Sequence, residues 1–255
     1  MTLLALDFDG VLCDSMRETA VSGWKAGAMI WPDMPDSMPP DTLLAAYGVA
    51  RPIVETGYEA ILVMRLLKTG RDPLDLLDSF PEHKARLMTQ IGRDQAELNR
   101  LYGLVRDRRI ADDPHGWSAM SPLYPGIKWF LHNLPTSIDS YIITTKQERF
   151  VRQLLDYNGV EFPSERIFGL DRRLFKEAIL LDLLTHHPNR RLYFIEDRLA
   201  TLVRIMEHAN LATVRLYLAD WGYNTHSNRE SARELKIPIL DLCGLLALTF
   251  LEDDK

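Results

Sequence analysis

The residues best equipped for chemistry stand at the ends of short apolar runs. Asp7 and Asp9 fall in Asp7-Phe8-Asp9-Gly10, directly after Leu3-Leu4-Ala5-Leu6. Residues two apart on a strand face the same way, so the two carboxylates are expected to crowd one spot. Like charges so close resist joint ionisation: either a cation neutralises them or one keeps its proton. A hard cation such as Mg²⁺ takes oxygen ligands and leaves positions for water and a phosphate. An EF-hand calcium loop is the rival reading, but it needs a third oxygen ligand where Val11 stands, and it would follow a helix.

Three later run ends carry matching groups. Ile142-Ile143 ends in Thr144-Thr145, which offers a hydroxyl and backbone N–H groups to phosphate oxygens. Lys176 opens a helical segment, where an ammonium neutralises phosphate or clustered acids. Tyr193-Phe194-Ile195 ends in a second acid pair, Glu196-Asp197. Each has an ordinary reading alone: an acid pair caps a helix, Thr144 is a β-branched strand residue, and Lys176 is solvated. Their order along the chain is what argues for a site.

The elements that must position these groups follow from hydrophobic spacing. Apolar runs at 3–8, 141–145, 192–195 and 214–218 read as buried strands. Helical spacing lies between them, at Phe150, Leu154 and Leu155, at Ile179, Leu180 and Leu183, and at Leu199, Leu202, Val203 and Met206. Alternating strands and helices predict βαβ units in a doubly wound parallel sheet, which binds ligands at the carboxyl ends of its strands. From 15 to 121 no comparable strand is found. Val54, Tyr58, Ile61 and Leu62, then Leu87, Ile91, Leu98, Leu101 and Val105, keep helical spacing. That interval reads as a helical insert, opening with a Pro-rich stretch at 31–41 and ending in linker sequence at Asp113-Pro114 and Ser121-Pro122. The expected domains are a core of 1–15 plus 122–255 and an insert of 16–121.

Composition sets outer bounds. The 255 residues are 46% hydrophobic and 26% charged, which fits an ordinary globular chain. The net charge of −6 has the wrong sign for general attraction to nucleic acid or an anionic membrane. Cys13 and Cys243 support neither a disulfide framework nor a zinc site, so a reducing cytoplasm is expected. No secretion signal is expected at the N-terminus. The apolar stretch 240–251, interrupted by Asp241 and Thr249, is too short to span a bilayer and reads as a packed helix.

The four elements, in this order with a helical insert after the first, resemble the haloacid dehalogenase superfamily of phosphatases and phosphotransferases, in the subgroup with a helical cap. The specific match is Asp7-Phe8-Asp9-Gly10-Val11-Leu12-Cys13-Asp14-Ser15. The resemblance implies a Rossmann-like core and a Mg²⁺-dependent phosphatase of a small phosphorylated metabolite, phosphoglycolate-like or a sugar phosphate. It implies Asp7 as nucleophile and Asp9 as acid and base. It implies Mg²⁺ held by Asp7, Asp9 through its carbonyl, and Asp197. Thr144, Thr145 and Lys176 would bind the phosphoryl group, with Glu196 and Gly10 in support. The expected partner is a small-molecule phosphate ester, and the expected state a monomer or homodimer. The chain departs from the family pattern at Glu177, where relatives often have Pro, and at Thr201 and Leu202, where many carry a further acid.

A sugar-phosphate mutase shares every core residue, and a non-catalytic phosphometabolite-binding protein would fit the missing acid. The dehalogenase reading is weaker, since such relatives lack the second acid and Asp9 is present. Within the insert, Arg51, Glu55 and Arg65 are candidates for reading the leaving group, against a salt-bridge reading for each. Arg106, Arg108 and Arg109, offset by Asp107, Asp112 and Asp113, read as a solvated face. Met29, Met34, Met38 and Met64 read as an adaptable core. His186-His187 reads as a helix end, since adjacent helical residues diverge.

Overall fold

The structure is a computed structural model that describes residues 2–251. The last four residues of the expected core, 252–255, lie outside the described residues. Two compact units are present, Met1–Asp14 with Pro122–Lys255, and Ser15–Ser121.

The first unit holds a six-stranded sheet, all of it parallel: β1 (Thr2–Leu6), β2 (Ile138–Ile143), β3 (Ile167–Phe168), β4 (Arg191–Glu196), β5 (Arg215–Ala219) and β6 (Ile239–Leu240), in the order β3-β2-β1-β4-β5-β6. This is an α/β, Rossmann-like core. β1 is central, pairing Leu6 with Ile142 on one side and with Ile195 on the other. Leu3, Leu4, Ala5 and Leu6 are all fully buried. That is why the strand reads as a continuous apolar run and does not alternate.

Helices numbered by their place along the whole chain fill the rest. The second unit contains α1 (Met16–Ala28), α2 (Asp41–Ala50), α3 (Glu59–Lys68), α4 (Leu76–Ile91), α5 (Gln95–Asp112) and α6 (Pro114–Ser118). The first contains α7 (Ile127–His132), α8 (Glu148–Tyr157), α9 (Lys176–His186), α10 (Leu199–Met206), α11 (His226–Glu234) and α12 (Leu242–Ala247). Each unit has its own apolar core: Leu3, Ala5, Ile143, Phe194 and Leu202 belong to one, Trp24, Tyr47, Tyr58 and Ile61 to the other. The chain leaves and re-enters the first unit at adjacent points, since Asp14 N–H donates to the Pro122 carbonyl at 2.9 Å.

Several expectations need correction. β3 and β6 are two-residue edge strands, too short to show a pattern in sequence. The stretch 240–251 is not one helix: Leu240 ends β6, Asp241 caps α12, and a 3₁₀ turn follows. Asp113-Pro114 is no linker, because the Asp113 side chain accepts from Gly116 N–H and Pro114 fills the first turn of α6. The apolar series from Leu87 to Val105 spans two helices, separated by left-handed Gly92 and a capping box at Asp94 and Glu97. Arg106 is buried, not solvated: it pairs with the fully buried Glu18 at 2.6 Å. Met34 and Met64 are core residues, whereas Met29 and Met38 are about half exposed.

Candidate active site

β1 ends at Leu6, and Asp7 N–H still bonds to the Ile195 carbonyl of β4 at 3.0 Å. The chain then turns tightly, with Leu12 and Cys13 N–H both donating to the Phe8 carbonyl. Gly10 sits at φ 87 in that turn, and a Cβ there would lie 2.0 Å from Asp197 Oδ2. Only glycine combines that backbone with that clearance.

The carboxyl ends of β1, β2 and β4 bring the expected residues into one unit, as parallel sheets do. Lys176 Nζ, at the start of α9, lies 3.0 Å from Asp7 Oδ1 and 2.7 Å from Glu196 Oε2. Its bond to Glu196 is a hydrogen bond. Asp7 Oδ1 is buried, and Lys176 Nζ is the positive group that faces it. Glu196 Oε1 meanwhile accepts from the N–H groups of Asp197 and Arg198. Glu196 therefore braces Lys176 and the start of the following turn. Thr144 is buried just past the end of β2, its hydroxyl oxygen accepting from Lys146 N–H at 3.1 Å. Thr145 is the partly exposed residue between them.

The two motif acids are near enough for the Asp9 charge to act on Asp7, and each has its own partners. Asp7 groups with Glu196 and Asp197, with ligand oxygens of all three within 4.8 Å of one another. The Asp9 carboxylate lies outside that group, 3.0 Å from Nζ of Lys146, which is 3% exposed.

Lys176 is paired with two of these three buried carboxylates, Asp7 and Glu196. Burial pushes Asp7 up to about 7, against the pull of Lys176, with the charges of Glu196 and Asp9 adding to the rise. Burial raises Glu196 as well, again against Lys176. Lys176 is disfavoured by burial, yet Asp7 and Glu196 outweigh that and hold its pKa well above the ordinary value. A buried all-oxygen cluster of Asp7, Glu196 and Asp197 fits a hard divalent cation such as Mg²⁺.

Sequence reasoning passed over several neighbours. Lys146 stands two residues after Thr144, and the strand-end rule that singled out Thr144 covers it too. The loop after β5 supplies Tyr223, whose N–H donates to Asp197 Oδ2 at 2.6 Å and whose hydroxyl donates to Asp14 at 2.8 Å. Asn224 donates to the Asp197 carbonyl at 3.1 Å. A Cβ on Gly222 would lie 2.3 Å from the Asp197 Cβ, so this loop presses directly on that acid. At the departures from the family pattern, Thr201 and Leu202 are buried in α10, and Glu177 turns to Arg204 at 3.1 Å. The candidates in the helical unit are engaged locally: Arg51 donates to the Val54 carbonyl, and Arg65 pairs with Asp33 at 2.7 Å.

No family model matches the sequence, and no curated protein matches it. Solved structures do match. A predicted phosphatase from Clostridium acetobutylicum superposes with a TM-score of 0.63 at 17% identity, over 98% of each chain. A haloacid dehalogenase-like family hydrolase from Streptococcus pneumoniae gives 0.57 at 15%, over 98% of each chain. A predicted phosphoglycolate phosphatase from Haemophilus somnus gives 0.59 at 15%, also over 98% of each. This chain has the haloacid dehalogenase-like fold. Within that fold, the inserted Ser15–Ser121 unit of this chain is wholly helical apart from loops, and among the described residues no helix is long and apolar enough to cross a membrane.

Proposed function

We propose that the protein is a Mg²⁺-dependent phosphomonoester hydrolase that works through an aspartyl-phosphate on Asp7. The observation that carries this reading is the Asp7 carboxylate itself, buried at the end of β1 with Lys176 Nζ 3.0 Å from Oδ1. A nucleophilic carboxylate needs nearby positive charge to receive phosphoryl oxygens.

In the first half-reaction an Asp7 oxygen bonds to phosphorus while the bond from phosphorus to the leaving oxygen breaks. Asp9 gives that oxygen its proton. In the second half, water attacks phosphorus, passes its proton to Asp9, and the bond to Asp7 breaks to release phosphate. Lys176, Thr144 Oγ1 and the Thr145 N–H hold the phosphoryl oxygens, and phosphoryl transfer depends chiefly on such positioning and neutralisation. Mg²⁺ held by Asp7, Asp197 and the Asp9 carbonyl would neutralise charge on the transferring group. Tyr223 and Gly222 keep the Asp197 carboxylate turned toward Asp7.

A small phosphorylated acid or sugar phosphate is the substrate class we favour, supported by the phosphatase descriptions of the structural neighbours. No disulfide joins the buried Cys13 to the exposed Cys243, which suits the cytoplasm. Purified protein with Mg²⁺ is expected to release phosphate from an aryl phosphate, and Asp7→Asn to abolish release. Unchanged turnover in that variant would overturn the mechanism.

A further inference from the structure

The helical unit carries a concentration of positive charge that the proposed reaction does not use. A cavity of about 240 Å³ lies between α3 and α4. His83, Arg86 and Gln90 line it from one stripe of α4, Arg65 and Thr69 come from the end of α3, and Arg71 comes from the turn between. Two leucines complete the lining, and no carboxylate contributes to it. In a chain of net charge −6 this is a local reversal of sign.

The cations differ in how they are held. Arg65 Nη1 donates to both oxygens of Asp33 at 2.7 Å, and its guanidinium lies 5.1 Å from the Trp31 ring centre, so it is anchored. The side chains of Arg71, Arg86 and His83 make no hydrogen bond or ion pair among the described residues. Two guanidiniums facing one cavity repel each other, and an anion placed between them would relieve that repulsion. A guanidinium presents a rigid fork of donors that matches phosphate oxygens. The volume admits a tetrahedral oxyanion, alone or on a small carrier, and falls below the usual range for larger organic ligands.

We propose that this cavity binds a phosphate-like dianion, either the free ion or the phosphoryl group of a small molecule, held by Arg71 and Arg86 beside the anchored Arg65. The proposal shares no residue with the reaction on Asp7 and does not depend on it.

The test is an amide NMR titration of the full chain in EDTA and low salt, with inorganic phosphate, sulfate, propylphosphonate and chloride as probes. Saturable shifts at residues 65–71 and 83–90 are expected with phosphate and sulfate. The double variant Arg71→Gln/Arg86→Gln, altered only at exposed positions, should weaken this binding at least about tenfold, as expected for losing two charge-assisted contacts. Shifts around 144–146, which report the Asp7 site, should be unchanged by it. Tighter binding of propylphosphonate than phosphate assigns the site to a phosphorylated small molecule, and equal or weaker binding assigns it to the free ion. Shifts that do not saturate, chloride matching phosphate at equal ionic strength, or equal affinity in the double variant would each overturn the proposal.

Discussion

Lys146 and Lys176 divide the two motif acids between them. Lys176 lies against Asp7, and Lys146, almost wholly buried, lies 3.0 Å from Asp9. If Asp9 is the acid and base, Lys146 is the residue that places it. Lys146→Met is therefore expected to lower kcat about 100-fold, the scale of a displacement near 1 Å at a catalytic group, while KM for an aryl phosphate changes little. Lys146→Arg should restore part of the loss. A kcat within twofold of wild type in the Met variant would show that Asp9 needs no such support. The spacing of Asp7 and Asp9 in sequence suggested acids close enough to feel each other, and the Asp9 charge does act on Asp7. Residue types located the acids, but only the turn at Gly10 decides where each side chain goes.

At the scale of elements, what could be read from the chain depended on length and burial. β1, β2, β4 and β5 are five or six residues of largely buried apolar sequence, and their pattern is plain. β3 and β6 have two residues each, and no periodicity exists over two residues. Charge reading failed at Arg106, since its neighbours Asp107 and Asp112 suggested a solvated face while its partner is 88 residues away. Glu18 in α1 accepts from Ser22, from two nitrogens of Arg106 and from Trp117, which ties α1, α5 and α6 together. Removing one partner of a buried pair leaves a bare charge in a dry core. Glu18→Ala should thus destabilise the helical unit by about 3–5 kcal/mol, while the double change Glu18→Met/Arg106→Met should recover most of that loss. Denaturant titration followed by circular dichroism separates the two cases, and equal losses in both variants would mean that packing, not charge, governs the site.

For the whole molecule, the acid cluster ties stability to pH and to metal. Asp7, pushed up to about 7, and Glu196, also raised, keep protons in the folded chain that the unfolded chain has already released. Folded protein then binds more protons than unfolded across the interval from about 4 to 7, so this contribution to stability is full at the low end and is lost as pH rises. Lys176 acts in the same sense but only in strongly alkaline solution, because its pKa is raised above an already high value. Acids held low by arginine, such as Asp33 and Asp139, lose stability as pH falls below the ordinary carboxylate range and change little above pH 5. Between pH 5 and 7.5 the site acids therefore contribute with this sign, as does Asp220, which burial also raises. In EDTA the Tm of wild type is expected to fall over that interval relative to Asp7→Asn, which removes the Asp7 contribution. A divalent cation requires the ionised carboxylates, so millimolar Mg²⁺ should raise Tm more at pH 7.5 than at pH 5 and cancel the decline. Thermal scans at both pH values, with and without Mg²⁺, decide the matter: parallel pH profiles for wild type and Asp7→Asn in EDTA would mean that Asp7 carries no excess charge for a cation to neutralise.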